Sequence, residues 1–582
     1  MDSDDREFRV RPSPSRDRGA GAGRHGRKLA AQVKRAAMRA GYTRTGGAGL
    51  RGGGTGRHGR GRAAAFAGRR SPGQRRVVIM ARVVRHGGSR YRAAPLARHI
   101  AYLERDGVSR DGRDAAMFDD TSDSVDGEAF AERCDGDRHH FRFIISPEDA
   151  GELQDLRGFT RELMGDVARD LGTDLDWAAV DHWNTDNPHI HVLVRGRAAD
   201  GADLVIDRGY IKEGMRQRAE ERVTLELGPR SEHEIRRALA REVTADRWTS
   251  LDRQLRSLAD EGGIANLQPG AAIGEERRSL LLGRAARLER MGLADPAGPA
   301  CWALKPGVET TLRDLAVRND IIKTMHRALT DSGRSPDPAG FAIHGDAAAD
   351  PVVGRLVARG LHDELMGSAF AVIDGVDGRA HHLTFSDLDM TGDASPGAIV
   401  ELRSWNDAKG ARRQSLAVRS DLSIDRQVTA QGATWLDRQN LSRTPAAAGG
   451  GFGQEVREAM AARADHLVSA GLARRQGQTV IFQRDLLDTL AKRELEDAAQ
   501  AISARTGLPH RPSASGELVS GTYRERLDLS SGRFAMIDDG LGFQLVPWRP
   551  AIEQSLGRHV TGTLTPGGAV DWTLGRSRGL GL

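Results

Sequence analysis

The chain has 582 residues, too many for one hydrophobic core, and two to four domains are expected. Its formal charge of +6 is unevenly spread: residues 1–75 hold 19 Lys or Arg against 5 Asp or Glu, a local excess of +14 that leaves the remainder near −8. Cys134 and Cys301 are the only cysteines, which excludes a disulfide scaffold and a thiolate zinc site and fits a reducing cytoplasm. No window reaches the length and apolarity of a membrane span, so no membrane insertion is expected.

Residues 1–75 contain runs such as GAGRHGRKLA and RGGGTGRHGRGRAAAFAGRR with scarcely any large apolar side chain. Such a segment cannot bury enough surface to offset its chain entropy and reads as a disordered basic arm. Arms of this kind neutralise nucleic-acid phosphates without reading sequence. A solubilising tail or a misassigned start codon is the plainer alternative, and no apolar stretch follows the charges as a signal peptide requires.

RRVVIMARVVRHGG predicts a strand from Val77 to Arg85 ending in a Gly-Gly turn. PLARHIAYLERDG predicts a helix with Pro95 in its first turn and Gly107 at its stop; Leu96, Ile100 and Leu103 form the apolar stripe, with Arg98, His99, Tyr102, Arg105 and Asp106 off it. HHFRFIIS reads as a second strand, followed by one long helix opened at Ser146-Pro147 and closed by Gly172. DWAAVDHW and HIHVLVRG read as a hairpin about the turn NTDNP. The order β-α-β-α-β-β describes an α+β domain on an antiparallel sheet, and helical segments around 208–228 and 231–263 lead away from it.

In the C-terminal half RLERMGLA (287–294) resembles HLVSAGLA (466–473), and FAVIDG (370–375) resembles FAMIDD (534–539). The retained order suggests two copies of a helical, winged-helix-like unit followed by a small β-barrel-like unit. The expected division is an arm at 1–75, an α+β domain at 76–230, helical units at 231–365 and 446–515, and β-rich units at 366–445 and 516–582.

Strand alternation places His189 and His191 on one side of HIHVLVRG with Leu193 and Arg195, and His182 ends the partner strand where the turn brings it back beside them. Three neutral imidazoles on adjacent strands make a half-open site for a divalent ion, Mg²⁺, Mn²⁺ or Zn²⁺, while an H-x-H pair alone is weak evidence. Asp181 and Asp186 lie close enough to orient an imidazole or polarise a water. Such an ion stabilises charge on a phosphate oxygen, and the missing partner is a nucleophile. Of the five tyrosines, Tyr42 falls in the arm, Tyr91 in a loop and Tyr523 in the distal repeat, and Tyr210 is a reserve. Tyr102 lies off the apolar stripe of its helix, flanked by Arg98 and Arg105, whose charges favour the phenolate and a phosphate.

HWNTDNPHIHVLVRG resembles the three-histidine motif of the HUH endonucleases, in particular the relaxases that mobilise conjugative plasmids and the related nuclease that nicks T-DNA borders. VVIMARVVRHGG with LARHIAYLERDG is similar to their N-terminal strand and tyrosine helix, and the resemblance covers about residues 76–230. It implies an HUH-type antiparallel sheet with flanking helices and Tyr102 as nucleophile. His182, His189 and His191 would hold a divalent metal ion, with acidic help from Asp186 or Asp181. Arg85, Arg98, Arg105, Arg142 and Arg195 are candidates for DNA contacts. The implied substrate is single-stranded origin-of-transfer DNA, held covalently during conjugative mobilisation from a bacterial cytoplasm. The implied partners are relaxosome accessory proteins and a type IV secretion coupling protein. The alternatives are a rolling-circle replication initiator or transposase of the same superfamily, or a non-catalytic DNA-binding regulator.

Overall fold

The computed structural model describes residues 60–61, 64, 73–86, 96–104, 115–183, 188–269, 273–344, 351–408, 410–443, 450–514, 516–565 and 568–573. The architecture is mixed α+β, its sheets antiparallel apart from one short pair, and the chain divides into two compact units at residues 317 and 318. No helix among the described residues is long and apolar enough to cross a membrane.

The first unit begins with strand β1 (Val77–Arg85), helices α1 (Leu96–Leu103) and α2 (Gly127–Arg133), strand β2 (His139–Pro147), helix α3 (Leu156–Leu171), strands β3 (Trp177–His182) and β4 (His189–Arg195), and helix α4 (Met215–Leu227). The four strands form an antiparallel sheet in the order β1-β2-β4-β3. Alternation sends Phe141, Phe143, Ile145, Ile190, Val192 and Val194 to one face, under α3 and α4. Ala178, Val180 and Leu193 point to the other, where Leu96, Ile100 and Leu103 of α1 and Phe130 of α2 cover them. The sheet is thus buried on both sides, and His182 on its second face meets the tyrosine helix at the Leu103 carbonyl.

The long helix starts at Leu156, with the Asp155 side chain accepting from Gly158 N, rather than at Ser146-Pro147; Pro147 ends β2, and only a short 3₁₀ turn (Ala150–Glu152) intervenes. Gly172 does close it, in the left-handed conformation at φ +64°. The arm at 1–75 lies mostly outside the described residues, but the described part is not loose. Arg60 exchanges backbone hydrogen bonds with Val205 and Asp207, Ala64 packs on the core of the α3–α4 face, and Arg75 is buried with its guanidinium on Asp149 and the Gly228 carbonyl.

Next come helices α5 (Glu232–Thr244) and α6 (Ser250–Leu258), strand β5 (Ile264–Asn266), helix α7 (Glu275–Arg290), strands β6 (Ala294–Gly298) and β7 (Cys301–Leu304), and helix α8 (Val308–Asp331). The three strands pair in the order β5-β7-β6. Arg284 of α7, wholly buried, donates to both carboxylate oxygens of Asp252 (2.7 and 2.9 Å) and to the carbonyls of Val243, Ala245 and Arg247. Asp252 also closes a capping box with Thr249.

The second unit holds strands β8 (Phe341–Ile343), β9 (Val353–Asp363), β10 (Ser368–Gly375), β11 (Ala380–Phe385), β12 (Ile399–Asn406) and β13 (Arg412–Ser420), then helices α9 (Ile424–Val428), α10 (Trp435–Leu441) and α11 (Phe452–Ser469). Strands β14 (Ala473–Gln476) and β15 (Thr479–Phe482), helix α12 (Leu486–Thr506) and strands β16 (Leu518–Leu529), β17 (Gly532–Asp538), β18 (Phe543–Pro547), β19 (His559–Leu564) and β20 (Val570–Trp572) complete it. One connectivity occurs twice: β11-β10-β9-β12-β13 in the six-stranded sheet and β18-β17-β16-β19-β20 in the five-stranded one, each with a 3₁₀ turn before its fourth strand in sequence.

The helical arrangement also recurs. Arg463 is wholly buried on Asp437 (2.8 and 2.9 Å) and the carbonyls of Val428, Ala430 and Gly432, and Asp437 caps Thr434. The segments concerned read VTADRWTSLDRQ (243–254) and VTAQGATWLDRQ (428–439). The domain limits shift accordingly. Strand β9 belongs to the six-stranded sheet, so the first helical stretch ends before 365, and α9 and α10 pack with α11 as well as with Val376 and Ile399 of the β-rich segment.

Candidate metal centre

His182, His189 and His191 meet on the α1 side of the sheet because register and alternation agree: His182 lies opposite His189, and Val180 opposite His191. All three are buried, and each offers a ring nitrogen within 4.8 Å of the others. The Nε2 atoms of His189 and His191 are 3.2 Å apart, and the His182 ring centroid lies 4.5 Å from that of His191 and 5.4 Å from that of His189. Two nitrogens bound to one ion at about 2.1 Å and about 90–110° apart would lie roughly 3.0–3.4 Å from each other, so the imidazole spacing fits a divalent ion.

His182 Nε2 is 2.9 Å from the Leu103 carbonyl oxygen. A ring that donates Nε2–H there has its lone pair on Nδ1, which settles the tautomer a cation would meet. Leu103 follows Tyr102, and the half-buried Tyr102 packs on the same cluster as Ala178, Val180 and Leu193. The helix carrying the tyrosine is therefore pinned, at its C-terminal turn, to a candidate ligand. Burial pushes the Glu104 carboxyl just beyond it above the usual range.

The other expected site residues are distributed differently. Asp181 points to the opposite face from His182, where its carboxylate accepts from Arg157 Nε at 2.9 Å and Trp183 Nε1 at 2.6 Å. Asp186, Arg105, Tyr42 and Tyr91 and the side chain of Arg98 lie outside the described residues. Arg85 is exposed at the end of β1. Arg142 is buried on the histidine side of the sheet, its Nε donating to His140 Nε2 at 3.0 Å. Arg195 is held by Asp137 at 2.7 Å, a bond that raises its already high pKa. Tyr210 is buried and donates to Asp170; burial first and that carboxylate second push its phenol well above the ordinary value, so it stays protonated. Cys134 is likewise buried, its thiol pushed up to about 12 by burial and then by Asp137, and it is no nucleophile.

One feature of this face escaped the sequence reading. His140, opposite Arg195, is held well below the ordinary imidazole pKa by burial and by Arg142, and it lies 2.6 Å from His86. The signal was the alternation in HHFRF, which puts His140 and Arg142 on the same face.

A family model described as a protein of unknown function (DUF3363) matches residues 281–411 and 404–581, C-terminal to the histidine centre. No curated protein and no solved structure matches the chain. Because that model spans just over half of the sequence, the chain belongs to the DUF3363 family.

Proposed function

We propose that the protein is a metal-dependent DNA-nicking and rejoining enzyme of the HUH relaxase type, acting on a single strand at an origin of transfer. The observation that carries this reading is the hydrogen bond between His182 and the Leu103 carbonyl, which joins a three-imidazole centre to the end of the Tyr102 helix. Tyr102 Oη, giving up its proton, attacks the phosphorus; the O–P bond forms as the bond from phosphorus to the 3′ oxygen breaks, leaving a 5′-phosphotyrosine and a free 3′-OH. His182, His189 and His191 would hold a divalent ion, which would supply charge stabilisation to the phosphate in the transition state. Because the covalent link retains the bond, a 3′-OH can attack it in turn and reseal the strand. The four-stranded antiparallel sheet with helices on both faces is in keeping with an HUH-type domain.

A second reading, a DNA-binding regulator, is favoured by the order helix, helix, strand, helix, hairpin over residues 232–304 with strand order β5-β7-β6, which is winged-helix-like. The two separate on one assay: purified protein with Mg²⁺ or Mn²⁺ and end-labelled single strands tiling the origin. An SDS-stable, metal-dependent adduct supports the enzyme, and metal-dependent binding without adduct supports the regulator.

A further inference from the structure

The hairpin β12–β13 leaves its sheet. Strand β12 pairs with β9 from Ile399 to Glu401, with one more backbone bond from Leu402 N to the Val352 carbonyl, while β12 and β13 continue together to the Asn406–Arg412 pair. The equivalent hairpin of the repeated sheet, β19–β20, does not do this: β19 is paired with β16 from His559 to Thr563, and its turn at 565–569 carries no basic residue. The projecting ribbon is an addition to the first copy that its own fold does not require.

Its surface is distinctive. Between 403 and 413 the sequence has four Lys or Arg and one Asp. Trp405 is 45% exposed, and Arg403, Arg412 and Arg413 are exposed around it. Arg403, Trp405 and Arg413 share one face, since Trp405 lies directly opposite Arg413 and Arg403 is two residues along the same strand. The tip is braced by Asp407, which accepts from Ala411 N at 2.9 Å and Arg413 Nε at 3.0 Å. Arg403 has no ion pair among the described residues. Beyond the sheet, Trp405 stands open to solvent with Arg413 opposite it and Arg403 two residues along the same face.

We infer that the β12–β13 ribbon is a single-stranded DNA contact, with a base stacked on Trp405 and the flanking phosphates at Arg403 and Arg413. An indole face accepts any base, and cations on either side suit the charge of the backbone, a pairing that binds strands without reading sequence. The placement of Trp405 and the arginines stands apart from the nuclease reading; the choice of DNA over RNA rests on it.

The test uses the full chain with Tyr102→Phe, so that no covalent adduct forms whatever Tyr102 does. A single-stranded oligonucleotide bearing 5-bromodeoxyuridine is photo-crosslinked, and tryptic peptides are read by mass spectrometry. The expected adduct lies on residues 404–409. In anisotropy titrations with a labelled dT oligomer, Trp405→Ala weakens binding about fivefold or more while Trp405→Phe keeps most of it. Replacing Arg403 and Arg413 by Ala lowers the slope of log K against log salt by about 0.7 for each. Crosslinks that avoid the ribbon, equal affinities for wild type and Trp405→Ala, or effects confined to duplex DNA or to an rU oligomer would each overturn the assignment.

Discussion

His182 donates to the Leu103 carbonyl at 2.9 Å, so one imidazole both faces the candidate metal position and holds the last turn of the tyrosine helix. Loss of this ring therefore has two consequences where loss of His191 has one. Mn²⁺ is expected to raise the Tm of the wild type and to do so in neither His182→Ala nor His191→Ala, because a ligand stabilises only the state that binds it. Hydrogen exchange across residues 96–103 is expected to accelerate in His182→Ala alone. Equal exchange in both variants would show that the bond does not anchor the helix.

Two glycines of the first unit predict opposite signs. A Cβ at Gly196, which follows β4, would lie 1.9 Å from the His139 carbonyl oxygen, a backbone atom that cannot step aside. Gly196→Ala is expected to destabilise this unit by about 1–3 kcal/mol or more. Gly165 is an exposed position inside α3 with nothing within 4 Å of its added Cβ, and Gly165→Ala is expected to stabilise by about 0.5–1 kcal/mol. Urea unfolding of both variants checks the pair.

The buried ion pairs Arg284–Asp252 and Arg463–Asp437 are fully removed from solvent, and each guanidinium also satisfies three carbonyls. Removing one partner strands a charge in the interior, so Asp252→Ala and Asp437→Ala are each expected to cost about 3–5 kcal/mol. In thermal unfolding followed by limited proteolysis, Asp437→Ala should expose cleavage sites around 424–482 before the histidine domain is cut. A loss below about 1 kcal/mol would contradict the role assigned to the pair.

The second unit carries its own acid sensitivity. His382 is buried, stacks on Phe370 with centroids 5.5 Å apart, and has its pKa pushed down to about 4 by burial and then by His362 and His344. At neutral pH the ring is uncharged whether folded or unfolded. As pH falls below about 6.5 the unfolded chain takes the proton first, so stability is lost between about 6.5 and about 4, reaching about 3 kcal/mol at the lower end. His382→Phe is expected to flatten that part of the stability–pH profile, as measured by denaturant unfolding at stepped pH.

The strands and the histidine hairpin were legible because period and spacing are local properties: Val77–Arg85 and the His182–His189 register follow from alternation and turn length. The Tyr102 helix was legible from its apolar stripe. The direction of Asp181 follows from the same alternation, yet proximity in sequence to His182 obscured it. The pairing of Arg195 with Asp137 and the burial of Arg142 depend on contacts that span 58 residues or on depth in the sheet, neither of which a spacing reveals. Arg60 and Arg75 were hidden for a different reason. Their Gly- and Arg-rich surroundings carry the composition of a loose arm, while their order comes from partners at Val205, Asp207, Asp149 and Gly228. The recurring buried arginine was missed because a charged residue on a helix reads as a solvated one until its carbonyl partners are seen.

The most direct test of the central claim is chemical. The wild-type chain and Tyr102→Phe are incubated with Mn²⁺ and a single strand spanning the origin, and nuclease-trimmed peptides are examined by mass spectrometry. The account predicts a phosphonucleotide on Tyr102 in the wild type, none in the variant, and none when Mn²⁺ is chelated. A nucleotide on another residue, or an equal adduct from Tyr102→Phe, would contradict it.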